Sequence, residues 1–570
     1  MGDSARAFGV VRAADPADPH FGPSAVQARL EILYDGQPVL TQVRARWDRS
    51  HRHVLFTVLA GESEEHAGPI SVPHGLAVGA RGLATEEELS RAFDRPDPVA
   101  RQLLGSFCAM REEPDALVLL TGNDVVRTLI HAVGERAEAW STKGLAGLAA
   151  VDRTAVLRPE RVPELCLLDY VLLDDELVDG TTTLDEALVV RLDRDRVVTR
   201  SYWPLAERYA PGPPSSAQEL RDALSADVAR LSAVPGVHLG LTAGRDSVLV
   251  ASCLLENGLA MPAFTIGSPG YPDFDGASAV AAAWGTSHRS MVSGGPTDWF
   301  GAGPQWDRAV ARSPWSEGMD TAWNLVGEGL AWDGPQPMIW LAGSGGEVGR
   351  GFYWPHVDPA TPVTAEVLAD QLLHEAREPW WPQEVLRERA VQACADALVL
   401  VPGWSALDVV YARGRLRKWL NRTSPREDMS GTMAAYTSPA VCDVLLRLPD
   451  AVKQSGSAFD EALALCPAGL RQVALQAVAQ AHPLLPSPTP SRTFQHRVAR
   501  KVDAVRRRVA RPKLGPPLAP VLAQVRRSDA MPETWWSNQV RLAAHEPRMR
   551  QQLWAALSVE ALVTSGRVKL

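Results

Sequence analysis

The sequence predicts an α/β chain, α+β overall, in which a β-rich region, a parallel sheet with crossover helices and a helical region follow one another. Residues 1–210 contain short apolar or alternating segments separated by turns, a pattern typical of strands. Between residues 237 and 285, strand-like and helix-like segments alternate, which is typical of a parallel sheet whose strands are joined by helices. From about residue 360 the pattern is mainly helical.

The composition is that of a globular protein with two or three domains. The chain has 570 residues, of which 46% are hydrophobic and 22% charged. Its net charge of -9 argues against nucleic acid as the main partner. No apolar run approaches the roughly 18 residues of a membrane helix, and the start of the chain has no secretion signal. The scattered cysteines, without a C-x-x-C pair, predict reduced, mostly buried thiols in a cytoplasmic protein.

Strand-like segments and one linker candidate organise the N-terminal region. Residues 25–36 (AVQARLEILYDG), 39–48 (VLTQVRARWD) and 53–61 (HVLFTVLAG) are β-rich and partly alternating. Residues 180–203 predict two further strands around a D-R-D turn. The Pro-, Gly- and Ser-rich segment 210–218 (APGPPSSAQ) is typical of a linker, so we place the domain boundary there, with domains 1–210 and 211–570.

The parallel-sheet region begins after this linker. The spacing of apolar residues predicts a helix over 217–234, and an apolar run predicts a strand over 237–241. A helix over 247–257, a strand over 262–267 and a helix over 276–285 follow. The first strand therefore leads directly into a helix through the short segment LTAGRDS, residues 241–247.

This strand-to-helix segment has the chemistry of a phosphate site. A helix N-terminus carries partial positive charge and several free N–H groups, and Gly244 lets the main chain approach a ligand closely. Thr242 and Ser247 add hydroxyl groups. Bare phosphate would repel Asp246, so its presence indicates an intervening Mg²⁺. The alternative is that Asp246 only caps the helix.

Other common nucleotide and catalytic motifs fit less well. The chain has no G-x-x-x-x-G-K-[ST] segment, which argues against a Walker-type NTPase, and no G-x-S-x-G or H-E-x-x-H. Gly343, Gly345 and Gly349 are spaced G-x-G-x-x-x-G and do not lead into a clear βαβ unit. A Rossmann dehydrogenase therefore stays a minor alternative.

Three segments, in order, resemble the asparagine synthetase family. LTAGRDS resembles the S-G-G-x-D-S pyrophosphatase loop of that family, and residues 263–290 resemble its F-S-I-G-F segment with the helix and L-G-T-x-H that follow. MIWLAGSGGEVGRGFYW, residues 338–354, resembles its second signature, L-L-S-G-E-G-A-D-E-L-F-G-G-Y. The resemblance implies an ATP-pyrophosphatase domain with a parallel sheet and a helical C-terminal part.

The N-terminal half resembles the glutaminase domain of the same family in the order of its elements. This resemblance implies a β-rich sandwich of the Ntn type over residues 1–210. That domain needs an N-terminal cysteine as nucleophile, but this sequence begins Met1-Gly2-Asp3-Ser4, and Cys108 and Cys166 lie far inside it. We therefore expect a degenerate domain without glutaminase activity, as in the β-lactam synthetases and lasso peptide cyclases of the family.

The resemblance also implies a cofactor set and a site. The cofactors are ATP and Mg²⁺. Asp246 and Glu347 are the implied metal ligands, although Glu347 replaces the family's Asp with a longer arm. The implied nucleotide-binding residues are Leu241, Thr242, Ala243, Gly244, Arg245, Asp246, Ser247, Ile266, Gly267, Gly343 and Gly345.

Two catalytic residues are implied less directly. Glu317 lies about where the family has a glutamate that assists attack by the amine, and a solvated loop glutamate is the alternative. The family also has a C-terminal lysine that stabilises phosphate charge. Ser457 stands near that position, so we assign the role to Lys453, with Lys418 and Arg492 left as alternatives.

Several other residues leave two interpretations open. Asp273 and Asp275 fall in a segment that closes over the site in relatives, but they also suit a turn. Trp315, Trp323 and Trp354 cluster around the motifs and are candidates for a substrate pocket, with core packing as the alternative. The basic stretch 492–513 is more typical of a solvated helix face than of a binding surface.

Two hypotheses for function follow. The first is an ATP-dependent amide-forming ligase that adenylates a carboxylate, releases pyrophosphate and condenses the product with an amine. Its substrate would be a small molecule or peptide that carries both groups, as in lactam or macrolactam formation. The second is a non-catalytic nucleotide-binding or scaffold protein descended from such an enzyme. The sequence gives neither the substrate nor the oligomeric state.

Overall fold

The computed structural model describes most of the chain up to residue 466 and the C-terminal end. The described ranges are 7–35, 41–60, 70–75, 77–80, 82–124, 129–209, 212–266, 272–290, 305–319, 338–355, 360–374, 383–420, 429–466 and 547–570, with residues 269, 357, 358 and 472.

The N-terminal region contains two larger antiparallel sheets and a small hairpin. The six-stranded sheet has the order β11-β9-β10-β1-β3-β2 and the five-stranded sheet the order β13-β12-β8-β7-β4. In chain order the strands are β1 (Ala7–Ala13), β2 (Thr41–Trp47), β3 (His53–Ala60), β4 (Ile70–Gly75), β5 (Val78–Gly79), β6 (Gly82–Leu83), β7 (Phe107–Glu112), β8 (Ala116–Thr121), β9 (Ile130–Val133), β10 (Ala137–Ser141), β11 (Thr181–Thr183), β12 (Leu188–Asp193) and β13 (Val197–Ser201).

The two sheets pack face to face and helices cover their outer faces. Alternate apolar residues of both sheets, such as Phe8, Val10 and Met110, form the buried layer between them. The helices are α1 (Pro23–Tyr34), α2 (Glu86–Asp94), α3 (Pro96–Ala100), α4 (Gly144–Ala150), α5 (Val162–Leu168) and α6 (Leu205–Arg208), with 3₁₀ turns Pro19–Phe21 and Pro159–Arg161. Helices α1 and α4 share a core with the six-stranded sheet, and α2 and α3 with the five-stranded sheet. The predicted β-rich sandwich is therefore confirmed as a helix–sheet–sheet–helix arrangement.

One predicted strand is wrong. Of the predicted strand 25–36, residues 25–34 form most of α1 and not a strand. The buried residues Val26, Leu30, Leu33 and Tyr34 are spaced at i, i+4, i+7 and i+8, which places them on one helix face. Pro23 at the start of the helix fits its first turn, where no N–H is needed.

The second region contains a five-stranded parallel sheet, as predicted. Its order is β16-β15-β14-β17-β18, so the strand order reverses between β14 and β17. The strands are β14 (Val237–Gly240), β15 (Ala263–Thr265), β16 (His288–Ser290), β17 (Met338–Ala342) and β18 (Met429–Ala434). The helices α7 (Ala217–Ala229), α8 (Arg245–Glu256), α9 (Pro272–Trp284) and α10 (Gln305–Ser316) lie in this part of the chain, with a 3₁₀ turn at Arg230–Ala233.

The described residues of the C-terminal part are mainly helical, and the last of them return to the N-terminal region. Its elements are the 3₁₀ turns Gly346–Arg350 and Gly403–Ser405, a π-helical segment Ala412–Leu420, and helices α11 (Ala365–Leu372), α12 (Gln383–Leu400), α13 (Ala406–Tyr411), α14 (Pro439–Arg447), α15 (Asp450–Ser455), α16 (Ser457–Ala464) and α17 (Pro547–Thr564). Helix α17 packs on α5 and α10. The backbone N–H of Leu157 donates to the carbonyl of Lys569, 2.7 Å away, so the last residues contact the N-terminal region.

Two smaller expectations also have an outcome. All six cysteines are buried free thiols, as predicted. In the described ranges no single helix is both long and apolar enough to cross a membrane, although the pair Glu384–Leu400 and Gly403–Lys418, bent by 120°, has the combined length and composition.

Candidate functional site

The candidate site lies where the strand order of the parallel sheet reverses. Strands β14 and β17 are neighbours, and the chain leaves them toward the same edge of the sheet. In open parallel sheets, ligands bind in the crevice outside the carboxyl ends of the strands at this reversal. The two motifs that the sequence singled out, residues 241–247 and 343–351, are the loops that follow these two strands.

The first loop is held by hydroxyl groups that bind its own backbone. The Oγ atom of Ser247 accepts a hydrogen bond from the N–H of Thr242 at 3.0 Å and lies 3.0 Å from Thr242 Oγ1. Thr242 Oγ1 in turn accepts from the N–H of Gly244 at 3.0 Å. Gly244 stands at the N-cap of α8 and supplies no side-chain cap. The loop is therefore fixed while the N-terminus of the 12-residue helix α8 remains without a capping side chain.

The second loop approaches the first so closely that side chains would not fit. A Cβ atom on Gly343 would lie 3.0 Å from the backbone nitrogen of Ser247, and one on Gly346 would lie 2.6 Å from Asp246 Oδ1. Gly345 has a φ of 99°, which other residues rarely adopt. These glycines allow the loop after β17 to lie against the start of α8, and so the structure brings the two motifs together.

Three charged groups meet in this contact. Arg350 Nη2 lies 2.6 Å from Asp246 Oδ2 and 4.0 Å from Glu347 Oε1. Glu347 Oε2 also accepts a hydrogen bond from the N–H of Gly345 at 3.0 Å. Burial raises the pKa of Asp246 to about 7, although Arg350 acts in the opposite direction and the nearby Glu347 raises it further. Burial disfavours the ionised form of a carboxyl group, so a nearby cation is needed to keep Asp246 ionised at neutral pH.

These residues fit a Mg²⁺ ion that is shared with phosphate. Magnesium is commonly held by one or two carboxylates together with phosphate oxygens. Asp246 Oδ1 is buried and has no hydrogen-bond partner in the described part of the chain. The described part of the chain contains no group of three or more His, Cys, Asp and Glu side chains that could hold a metal ion without another ligand. Asp246 and Glu347 would therefore hold Mg²⁺ only with help from a ligand such as pyrophosphate.

The structure does not bring Glu317 into this crevice. Its side chain is 2% exposed, and its Oε1 accepts a hydrogen bond from the N–H of Leu145 at the start of α4, 2.5 Å away. Its φ is 53°, held at the end of α10. Leu177 and Leu562 pack around the next residue, Gly318. Glu317 thus lies between the N-terminal region and α17, neither in a solvated loop nor beside the loop of residues 241–247.

The structure places Lys453 in the core. Its Nζ donates to Ser405 Oγ and Asp408 Oδ2, both at 2.7 Å, and to the carbonyl of Leu446 at 3.0 Å. An ammonium has three donors, so these bonds use them all. Lys418, the first alternative, is buried, and its Nζ donates to the carbonyl of Asp175. Neither lysine points a free ammonium at the candidate site.

The other predicted site residues have varied surroundings. Leu241 and Ala243 are fully buried, so only their backbone could contact a ligand, whereas Ile266 is 46% exposed after β15. Asp273 and Asp275 are exposed in the first turn of α9. Gly267, Trp323, Arg492 and the basic stretch 492–513 lie outside the described residues.

The tryptophans near the motifs belong to the core where they are described. Trp354 is fully buried, and its Nε1 donates to Asp408 Oδ1 at 3.0 Å. Trp315 stacks on Tyr34 of α1 with ring centroids 4.3 Å apart. Both contacts favour the core interpretation over a substrate pocket.

Sequence reasoning missed two residues of the site. Arg350 pairs with Asp246, and the Tyr436 hydroxyl, in the loop after β18, donates to the backbone carbonyl of Asp246 at 2.8 Å. Arg350 had a visible signal, because it is a lone arginine between two glycines in the second motif. Tyr436 had none, since its contact depends on how β18 joins the sheet.

Comparisons with known proteins give little. No family model and no curated protein matches the chain. One similar solved structure is described as the allosteric regulatory enzyme of purine biosynthesis, with 10% identity over 51% of this chain and 81% of that chain, and a TM-score of 0.22. Another is glutamine phosphoribosylpyrophosphate amidotransferase from B. subtilis in complex with ADP and GMP, with 10% identity over 46% of this chain and 67% of that chain, and a TM-score of 0.20. Likenesses at this level carry no functional argument, and membership of the asparagine synthetase family stays a prediction.

Proposed function

We propose that this protein is an ATP-dependent ligase that forms amide bonds without a glutaminase activity of its own. The supporting observation is the meeting of an uncapped helix N-terminus, Asp246 with a buried and unpartnered oxygen, and Glu347, at the reversal point of a parallel sheet. Such a constellation suits a magnesium–pyrophosphate group better than it suits a bare cap. A cap would not need a second acid beside it.

Each residue would have a defined task in the reaction. A substrate carboxylate attacks the α-phosphorus of ATP, and the bond to pyrophosphate breaks. An amine then attacks the acyl carbon and AMP leaves. The N–H groups at the start of α8 would hold pyrophosphate oxygens, and Asp246 and Glu347 would hold Mg²⁺, whose charge neutralises the leaving group. Gly346 would allow this approach, because a side chain there would touch Asp246.

The substrate would carry both a carboxylate and an amine. It would be a small molecule or a peptide, and lactam or macrolactam formation would be the outcome if both groups belong to one molecule. The resemblance to the β-lactam synthetases and lasso peptide cyclases supports peptide or natural-product tailoring as the setting of this reaction.

A second candidate is a protein that binds nucleotide but catalyses nothing. Arg350 already contacts Asp246, and Lys453 and Lys418 are bound within the protein, so neither lysine considered for this role is free to balance phosphate charge. The two candidates differ in product. The ligase forms AMP and pyrophosphate when its substrate is present, whereas the scaffold only binds.

The experiment compares Asp246→Asn with the wild type by calorimetry, using ATP or inorganic pyrophosphate with Mg²⁺. Asparagine keeps the size of aspartate and can still accept a hydrogen bond from Arg350, so the free energy of unfolding should fall by only about 1 kcal/mol. Affinity for magnesium pyrophosphate should fall about tenfold or more, and AMP formation from a true substrate by roughly 10² to 10³. Full binding by Asp246→Asn would remove the metal role, and a much lower melting temperature would make Asp246 a structural partner of Arg350.

A pair of glycine variants provides the matched test of the close approach. Gly346→Ala would push a methyl group against Asp246 Oδ1 and should abolish pyrophosphate binding. Gly22→Ala meets only an ordinary contact of 3.5 Å with the carbonyl of Pro19, so it should bind as the wild type does. Equal binding by both variants would contradict the placement of the ligand beside Asp246.

A further inference from the structure

Arg350 lies beside the two acids proposed to hold Mg²⁺. Its Nη2 is 2.6 Å from Asp246 Oδ2 and 4.0 Å from Glu347 Oε1. The unpartnered Asp246 Oδ1 is open to a metal ion, but an ion bound there would lie close to the guanidinium, and like charges at short distance repel each other. Binding of the metal is therefore expected to weaken the contact between Arg350 and Asp246.

The side chain of Arg350 has room and spare donors for another position. It is 32% exposed, and a Cβ atom on Gly456 would lie 3.8 Å from its Cγ and Cδ and 2.7 Å from Arg245 Nη1, so the arm of Arg350 runs past a turn that has no side chain. The guanidinium lies 5.7 Å from the centre of the Phe459 ring, and the face of an aromatic ring attracts a cation. A modest rotation of the side chain would keep this cation–π contact. Arg350 Nε is buried with no hydrogen-bond acceptor in the described part of the structure.

Neither of the two described lysines considered for phosphate reaches the site, and Arg245, at the start of α8, pairs with Asp460. The described lysines in the C-terminal helices are bound within the protein, as Lys453 is to Asp408. Arginine presents several donors in a planar fork that matches phosphate oxygens. Arg350 already lies beside the proposed metal ligands and needs only a side-chain rotation to face a phosphate that binds there.

We propose that Arg350 is a phosphate-binding residue that competes with the metal. Without nucleotide it pairs with Asp246 and Glu347; when magnesium pyrophosphate binds, the metal takes the two carboxylates and the guanidinium turns to a phosphate oxygen. The inference rests on the proposed function, because it assigns the cation that this site uses. It predicts that one substitution changes two affinities in opposite directions.

The experiment uses the full chain and the variant Arg350→Met, which keeps an unbranched apolar arm and removes the guanidinium and its charge. Affinity for Mn²⁺ alone, measured by electron paramagnetic resonance, should rise about tenfold, because the competing ion pair is gone. Affinity for inorganic pyrophosphate with saturating Mg²⁺, measured by calorimetry, should fall about tenfold. Arg387→Met is the matched control: Arg387 pairs with Asp370 on the surface, so it changes net charge equally but should alter neither affinity.

The outcomes separate the inference from the proposed function. If Arg350→Met weakens both ligands, or changes neither, Arg350 does not compete with the metal and the inference fails while the function stands. If the wild type binds neither Mn²⁺ nor pyrophosphate, the proposed function fails and the inference with it. Should Arg350→Met not fold, Arg350→Lys should shift both affinities in the same opposite directions by smaller factors, and equal shifts of one sign would overturn the proposal.

Discussion

Lys453 and Asp408 form an ion pair inside the helical part of the protein, with Nζ and Oδ2 2.7 Å apart. The lysine side chain is fully buried and the aspartate side chain is 2% exposed. Burial raises the pKa of Asp408, and the nearby ammonium and the Trp354 N–H act in the opposite direction. The pair holds α15 against α13, and this role competes with the phosphate-binding role that the sequence suggested for Lys453.

The first prediction concerns the stability of this pair. Lys453→Met leaves a buried carboxylate without its charge partner, and such losses cost about 3–5 kcal/mol. The free energy of unfolding, measured by urea denaturation, should fall by that amount. Replacing both residues (Lys453→Met with Asp408→Leu) should recover much of the loss, since no charge is then left unpaired. A stable Lys453→Met protein with reduced pyrophosphate binding would instead support the phosphate role.

The second prediction separates two roles of Glu317. Glu317→Ala removes the acceptor for the buried N–H of Leu145 and should cost about 1–3 kcal/mol in unfolding free energy. Glu317→Gln keeps an oxygen that can accept this bond, so it should stay within about 1 kcal/mol of the wild type and retain activity. If Glu317 were a general base, glutamine would abolish activity, because a carboxamide does not accept a proton at neutral pH. Loss of AMP formation in a stable Glu317→Gln protein would therefore assign Glu317 to catalysis.

The third prediction concerns glutamine. Cys108 and Cys166 are buried, and burial raises the pKa of the Cys108 thiol to about 12 and that of Cys166 still higher. Thiols of this kind are poor nucleophiles at neutral pH. Purified protein given glutamine and ATP should release no glutamate above background. Steady glutamate release that survives repurification and is lost in Cys108→Ser would show a working glutaminase.

The fourth prediction is a pH dependence in the β2–β3 turn. Burial opposes ionisation of Asp48, but hydrogen bonds from His53, Ser50 and the backbone lower its pKa to about 2 from an ordinary 3.8. A depressed pKa contributes stability above about pH 4 that is lost as pH falls toward 2. Asp48→Asn should therefore cost about 2 kcal/mol at pH 6 and almost nothing at pH 2. Denaturation midpoints across this range check it, and a constant difference between the proteins would contradict it.

Local sequence patterns determined the framework of the candidate site. Three of its features depend on residues close together in the chain: the strand Val237–Gly240, the start of α8 and the glycines that follow β17. Periodicity and glycine positions encode such features directly, because a strand, a helix and a tight turn each require particular neighbours. The parallel sheet and the β-rich character of the N-terminal region followed from the same patterns, whereas the sandwich was implied by the family resemblance.

Only the tertiary structure decided which charges meet there. Arg350 reaches Asp246 across 104 positions of sequence, and Glu317 reaches Leu145 across 172. Nothing local distinguishes a glutamate at an active site from one that binds the start of a helix in another domain. Lys453 likewise has an ordinary helical context, and its partner Asp408 is known only once α13 and α15 pack together. Electrostatic partners are set by distance in space and not by distance along the chain. For this reason the sequence located the loop 241–247, but only the fold showed that Arg350 is the partner of Asp246.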